Sequence, residues 1–200
     1  MADDTGQPHA APRRPLAGRC AARRPVLLLL TGMLGLLGLL PAGAQPVAEY
    51  QVKAAFLVKF GSYVEWPAAV FESRESPFVI GVVAPDAVAD EVERAASAAT
   101  VEGRPVQVRR LERADVPGGT HLLFIARSHN GQLADTLALA RGRPLLTVTE
   151  SEQALALGGM INFVIVDNKV RFDIALAPAE ASQLKISARL LSVARRVLRS

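Results

Sequence analysis

The chain has 200 residues, of which 50% are hydrophobic and 21% are charged, and its formal net charge is +4 at pH 7. Its single cysteine, Cys20, excludes an internal disulfide framework and a zinc site built on several thiolates. Five arginines and two aspartates fall in the first 44 residues, which leaves 18 basic and 17 acidic residues in the rest. This nearly neutral balance argues against a nucleic-acid partner.

The first 44 residues have the pattern of a signal peptide. Arginines precede a leucine-rich stretch at 26–40, which is too short to span a bilayer comfortably. Ala42 and Ala44 then form an A-x-A pattern that suits cleavage before Gln45. An uncleaved N-terminal anchor is the alternative interpretation. The sequence therefore predicts a signal peptide at 1–44, export, and a mature domain at 45–200 that is long enough for one sizeable core.

Helices and strands alternate through the first part of the mature chain. Apolar periodicity predicts a helix at 47–66, which Pro67 ends. Apolar runs predict strands at 77–83, 106–111, 122–125 and 145–148. The helices expected between these strands lie at 87–99, with Asp86 as the cap, at 128–140, and after Thr149, which begins a capping box with Glu152.

The stretch 158–198 is predicted to be a β-hairpin followed by a long amphipathic helix. Two apolar runs flank Asp167 and Asn168, and short polar residues of this kind suit a tight turn. From Pro178 onward the apolar period changes from 2 to 3.6, which predicts one helix to Leu198. The fold class expected is therefore α/β, a single compact domain with a mostly buried sheet of about six strands and helices on both faces.

Signals of catalysis are weak throughout the mature chain. It contains no G-x-G-x-x-G or P-loop motif and no G-x-S-x-G elbow. Its two histidines, His121 and His129, suit packing or capping better than acid–base chemistry. We therefore predict a protein that is not an enzyme, with no catalytic residue, no metal site and no cofactor.

The first candidate contact residues lie on the helix at 47–66. Lys53 falls inside the apolar arc that Phe56 and Phe60 share. In one interpretation its stem covers apolar surface while its ammonium group reaches water. In the other, the cation faces a pocket that accepts an acidic ligand or a partner carboxylate.

The remaining candidates are polar residues within the apolar runs of the hairpin. Asn162 lies in the first strand, and Arg171 and Asp173 alternate with apolar residues in the second. Alternation places Arg171 and Asp173 on one face of the sheet, where a solvated ion pair within the strand is one interpretation. The other is a guanidinium at the mouth of a cleft that holds a carboxylate or phosphate.

Motifs along the whole mature chain resemble the YfiR-like family. They are V-K-A-A-F-L-V-K-F-G-S-Y-V-E-W-P, H-L-L-F-I, P-L-L-T-V-T-E, G-G-M-I-N-F-V, V-R-F-D-I and L-K-I-S-A-R-L-L-S-V-A, in that order. The resemblance implies a periplasmic homodimer that represses an inner-membrane diguanylate cyclase by binding the cyclase's periplasmic sensing domain. It also implies an outer-membrane lipoprotein that sequesters the repressor, with cyclic-di-GMP signalling and biofilm formation downstream.

One departure from the family limits what the resemblance implies. Many relatives have a cysteine just before the H-L-L-F-I strand, where this chain has Thr120. Redox control through disulfides is therefore not expected. The alternative function is a small-ligand-binding module that senses an anionic metabolite, with its cleft at the strand ends of an open sheet.

Overall fold

The computed structural model describes residues 44–112 and 116–199, so the predicted signal peptide lies almost wholly outside the described residues. Helices and strands alternate in the described ranges, and none of those helices is both long and apolar enough to cross a membrane. The helices are α1 (Ala44–Ser62), α2 (Asp86–Ala96), α3 (Leu133–Ala140), α4 (Leu176–Ala181) and α5 (Ala188–Val193). The strands are β1 (Val64–Glu65), β2 (Phe78–Val83), β3 (Thr100–Val101), β4 (Arg104–Arg110), β5 (Leu122–Ile125), β6 (Leu146–Thr149), β7 (Ile161–Val166), β8 (Lys169–Ala175), β9 (Lys185–Ile186) and β10 (Arg196–Leu198).

An eight-stranded sheet forms the centre of the described domain, in the order β10-β8-β7-β6-β5-β2-β4-β3. The strands from β4 through β2, β5 and β6 to β7 pair in parallel, whereas β3 pairs antiparallel with β4 and β8 returns antiparallel to β7. A separate two-stranded sheet joins β1 to β9. The predicted α/β class is therefore confirmed. The sheet exceeds the expected six strands because β3 has only two residues, too few to show a pattern, and because β10 lies in the segment that was predicted to be a helix.

Helices cover both faces of the sheet, as the sequence predicted. Alternate residues of β5 separate the two layers, because side chains of a strand point to opposite faces in turn. Leu122 and Phe124 belong to the core that α1 and α2 cover, whereas Leu123 and Ile125 belong to the core that α3 covers. All four side chains are buried, so the sheet is enclosed at its centre.

The predicted hairpin is confirmed in β7 and β8. Asp167 and Asn168 have φ values of 51° and 56°, so both turn residues are left-handed. Two such residues form the turn that matches the twist of antiparallel strands. The turn sets a register in which Asn162 lies opposite Asp173 and Phe163 lies opposite Phe172.

The prediction of one long C-terminal helix was wrong. The segment instead forms α4, β9, α5 and β10. Gln183 adopts a left-handed φ of 59° after α4, and Ser187 caps α5 by accepting a hydrogen bond from the Leu190 N–H. Strand pairing of β9 with β1 and of β10 with β8 outweighs the helical periodicity, which is a weak preference that tertiary contacts override.

Three smaller predictions also need correction. Helix α1 ends at Ser62 rather than at Trp66, because Val64 pairs with Ile186 in the small sheet. The segment 152–158 forms turns rather than a helix, and the Thr149 hydroxyl donates to the Asn162 side chain instead of capping. Pro85 occupies the cap position of α2, and Asp86 is the first residue of the helix.

His121 anchors the segment between β1 and β2. Its ring is buried and stacks between Phe71 and Phe78 at centroid distances of 4.6 and 5.2 Å. The Val79 N–H donates to His121 Nδ1 at 3.0 Å, so Nδ1 carries no proton and accepts the hydrogen bond. Burial lowers the pKa of His121, and the nearby Arg104 guanidinium lowers it further, against a hydrogen bond to the Val70 carbonyl that raises it.

We predict that the free energy of unfolding decreases as the pH falls below the ordinary histidine pKa of about 6.5. Because the folded state depresses the pKa of His121, the unfolded chain binds more protons in that range. Urea unfolding at pH 7 and pH 5 measures the decrease. His121→Asn keeps an acceptor for the Val79 N–H but does not titrate, so its decrease should be smaller. His129→Asn is the control, and an equal decrease in the His121→Asn and wild-type proteins would contradict the prediction.

Candidate functional site

A cluster of charged residues joins the first half of α1 to the ends of β5 and β6. The ammonium group of Lys53 binds the carboxylates of Glu49, one turn earlier in α1, and Glu150, directly after β6. Arg127, which follows β5, binds Glu49 through its guanidinium and donates its backbone N–H to Glu150 at 2.9 Å. Two cations and two carboxylates therefore balance each other at the carboxyl edge of the parallel strands.

Glu150 is the centre of this charge cluster. Its carboxylate is buried and accepts hydrogen bonds from the Lys53 ammonium, the Arg127 backbone and the Tyr50 hydroxyl. Burial raises the pKa of Tyr50 to about 12, and the negative charge of Glu150 adds to the effect. The phenol therefore stays protonated and donates. A buried carboxylate needs this number of donors to offset its desolvation.

Lys53 does not reach water, so the first interpretation of its role was wrong. Only 1% of the residue is exposed, and its ammonium lies 4.8 Å from the centre of the Tyr50 ring. The cation does meet carboxylates, but they belong to the same chain. Lys53 therefore holds α1 against the sheet, and other residues of α1 form the surface that the helix exposes.

Aromatic rings connect α1 to the hairpin one turn further along. Phe56 and Phe60 of α1 pack against Phe163 of β7 and Phe172 of β8, with ring centroids 5.0 to 6.2 Å apart. Phe60 is fully buried, whereas Phe56 is half-buried at the edge of the cluster. This packing brings the outer end of α1, its first half, next to the outer end of the hairpin, which is its turn.

An open groove of about 530 Å³ lies between those outer ends, and we call it the hairpin groove. Its apolar lining includes Val52 and Ile165, which are 45% and 44% exposed. The residues that line it are Ala48, Glu49, Val52, Phe56, Ile165, Asn168, Lys169, Val170 and Arg171. The basic pair Lys169 and Arg171 belongs to the hairpin side. Glu49, on the helix side, is already paired with Lys53 and Arg127.

The opposite face of the hairpin lines a larger cleft of about 900 Å³. Asn162 and Asp173, which face each other in the register, both line this cleft. The buried Asp173 carboxylate accepts from Arg195 Nε at 2.7 Å and from Arg196 at 3.0 Å. The predicted ion pair within the strand was therefore wrong. Arg171 pairs with no carboxylate in the described ranges, and Asp173 pairs with arginines just before and within β10.

The six residues that the sequence singled out fall into three places. Phe56 and Arg171 line the hairpin groove, Asn162 and Asp173 line the cleft, and Lys53 and Phe60 are buried on the inner face of α1. Sequence reasoning missed Glu150 and Arg127, although both follow the carboxyl ends of buried strands, where polar side chains converge in α/β folds. It also missed Arg195 and Arg196, because the predicted helix placed them on a solvated face.

No three histidine, cysteine or acidic side chains in residues 44–112 and 116–199 come together as ligands for a metal ion. Ser128 and His129 lie side by side, with Oγ and Nδ1 2.9 Å apart, at a partly exposed turn before α3. The described residues form two candidate binding surfaces, which are the hairpin groove and the cleft.

The chain is similar to known proteins in its sequence and in its fold. The family model described as YfiR/HmsC-like matches residues 50–195. No curated protein matches the chain at a significant level. The fold is similar to that of an ABC domain from Streptococcus pneumonia solved in complex with L-Trp, with a TM-score of 0.52 and 10% identity, over 72% of this chain and 60% of that chain.

A second solved structure is a conserved domain protein from Vibrio cholerae O1 biovar El Tor. Its TM-score is 0.46 and its identity 10%, over 60% of this chain and 54% of that chain. This chain therefore spans less than two thirds of each solved chain. The likeness to the streptococcal protein supports the fold alone.

The charge cluster generates a prediction about stability. Glu150→Gln removes one buried carboxylate from Lys53 and should lower the free energy of unfolding by about 3 kcal/mol, since breaking a buried pair leaves an uncompensated charge. The matched control is Glu65→Gln, which breaks the exposed pair with Lys185 at 3.7 Å and should cost less than about 0.5 kcal/mol. Urea unfolding measures both variants, and equal losses in the two would refute the role of the cluster.

Proposed function

The chain belongs to the YfiR/HmsC-like family of periplasmic regulators, and we propose that it binds and represses the periplasmic sensing domain of an inner-membrane diguanylate cyclase. Repression lowers the output of cyclic-di-GMP and the formation of biofilm. The predicted signal peptide, which brings the mature domain to the periplasm, belongs to the same proposal. Family membership supports contact with a membrane sensor in general, and the identity of that sensor as a cyclase is our proposal.

The observation that carries the proposal is the hairpin groove. Val52 and Ile165 expose apolar side chains on two elements that meet, and the half-buried ring of Phe56 lies between those elements. Contiguous exposed apolar residues with a charged rim are typical of a protein–protein contact. The basic pair Lys169 and Arg171 favours a partner segment that combines an apolar anchor with carboxylates.

The groove is held rigid by the structure beneath it. The charge cluster around Lys53 and the rings of Phe60, Phe163 and Phe172 hold α1 against the hairpin from below. A surface that is already ordered loses little conformational entropy when a partner binds. More of the binding free energy therefore remains to discriminate between conformations of the sensor.

Repression follows if the groove binds one conformation of the sensing domain better than another. A tenfold preference for the inactive conformation shifts the equilibrium by about 1.4 kcal/mol, and a ligand with equal affinity for both shifts nothing. The resemblance to the family also supports a homodimer as the active species. In the same way it supports an outer-membrane lipoprotein as the competitor that withdraws the repressor from its sensor.

We predict that Ile165→Asp abolishes repression because it places a charge in the apolar part of the hairpin groove. Cells that overproduce the wild-type protein should contain less cyclic-di-GMP, and cells that overproduce Ile165→Asp should not. Affinity for the sensing domain should fall at least tenfold, as for a residue at the centre of an interface. Mass spectrometry of membrane proteins captured by the tagged wild-type protein identifies the sensor, and calorimetry measures its affinity.

The matched control is Val193→Asp, which introduces the same charge at a valine that is 61% exposed and does not line the groove. This variant should repress as the wild type does. If overproduction of the wild-type protein leaves cyclic-di-GMP unchanged, the proposed function is wrong. If both variants repress as well as the wild type does, repression uses a surface other than the hairpin groove.

A further inference from the structure

The cleft on the other face of the hairpin has a floor of three strands and walls from three further segments. Strands β7, β8 and β10 form the floor, and the walls come from α3, the turns at 152–158 and α4. Helix α3 packs against β5 and Leu145 on this side of the sheet, and its residues Leu137 and Ala140 form one wall of the cleft. The cleft is therefore the part of this sheet face that the described helices leave open.

A polar group in the cleft lacks a protein partner. Asn162 is 4% exposed, and its side-chain oxygen accepts from the Thr149 hydroxyl at 2.8 Å. Its amide nitrogen makes no hydrogen bond to the described residues. Yet no side-chain nitrogen or oxygen that is shut off from solvent in the described ranges lacks a partner. The amide nitrogen therefore opens onto the cleft, where it presents a hydrogen-bond donor to whatever binds.

The charges that line the cleft have a positive excess. Arg141, Arg195 and Arg196 face two carboxylates, Glu152 and Asp173. The Asp173 carboxylate already binds both Arg195 and Arg196, so one carboxylate is shared by two guanidinium groups. Each guanidinium carries five donors, and those that Asp173 does not use remain for a second anion.

The rest of the lining is mainly apolar. Met160, Val164 and Ala175 lie on the floor, and Leu137, Leu155 and Pro178 lie on the walls. A volume of about 900 Å³ is ample for a small molecule, and apolar walls with a few placed polar groups are typical of ligand sites. The ligand that fits has an apolar body and a single charged head.

We propose that this cleft binds a small amphipathic anion, with its carboxylate or phosphate head at Asn162, Arg195 and Arg196 and its apolar body along Met160 and Val164. The amide nitrogen of Asn162 donates to the head, and the two arginines neutralise it. The proposal goes beyond the regulatory contact at the hairpin groove and stands without it, because the two sites share only Ile165 among their lining residues.

Isothermal titration calorimetry of the mature chain with octanoate, octyl phosphate and octanol tests the proposal. Octanoate or octyl phosphate should bind, and whichever binds more tightly identifies the head as a carboxylate or a phosphate. Octanol has the same apolar body without the charge and should bind at least tenfold more weakly. Asn162→Asp keeps the acceptor for Thr149 but replaces the free donor with a negative charge, so the preferred anion should bind at least tenfold more weakly.

Two further variants keep the test decisive. Arg196→Gln removes a charge from a largely exposed side chain, leaves the core intact, and should weaken binding of the anion at least fivefold. Lys185→Gln removes the same charge outside the cleft and should bind as the wild type does. Val52→Asp changes a residue that lines the hairpin groove and not the cleft, so it should retain binding of the anion even where it weakens repression, and the two proposals fail separately.

Three results would overturn the inference. The first is that neither octanoate nor octyl phosphate binds at millimolar concentration. The second is that octanol binds as tightly as the anions, since the charged head would then contribute nothing. The third is that Arg196→Gln and Asn162→Asp, both folded by circular dichroism, bind the anion as tightly as the wild type, since the binding site would then lie elsewhere.

Discussion

The alternation of side chains along the β7–β8 hairpin determines which of its residues face α1 and which face the cleft. Phe163 and Phe172 point to the face that α1 covers, and Asn162 and Asp173, one residue away from each, line the other face. A shift of one residue in the register would exchange the two sets and place a carboxylate among aromatic rings. The left-handed turn at Asp167 and Asn168 prevents that shift and so positions the hairpin residues that line the groove and the cleft.

Helix α1 depends on a second constraint, which is the complete pairing of its buried charges. Placing Lys53 and Glu150 in the interior costs solvation energy, and an apolar pair of the same shape would cost less. The cluster compensates by giving Glu150 three donors, of which Tyr50 and Lys53 come from α1 itself. Because each of these contacts has a defined geometry, the cluster fixes the position of α1 along the sheet as well as its attachment. The outer surface of α1 is thereby set relative to the hairpin.

Much of this architecture could be predicted from local patterns, and the failures have a common physical cause. The strands 122–125 and the hairpin carry continuous or alternating apolar residues that only one local structure satisfies. The C-terminal segment instead carries helical periodicity, yet β10 forms because it can pair with the edge of β8, a contact that no local window contains. The same limit applied to the sites. Lys53, Asn162 and Asp173 stood out as polar residues in apolar surroundings, but their partners Glu150, Thr149 and Arg195 are distant in sequence.

We propose that the chain acts by contact with a membrane protein through the hairpin groove. Site-specific photo-crosslinking in living cells tests it most directly, with a photoreactive residue placed at Ile165 in one strain and at Leu139, an exposed leucine of α3 outside the groove, in another. We expect a crosslink from position 165 to an inner-membrane protein with a periplasmic sensing domain, and none from position 139. A crosslink to that protein from position 139 with none from position 165 would contradict it.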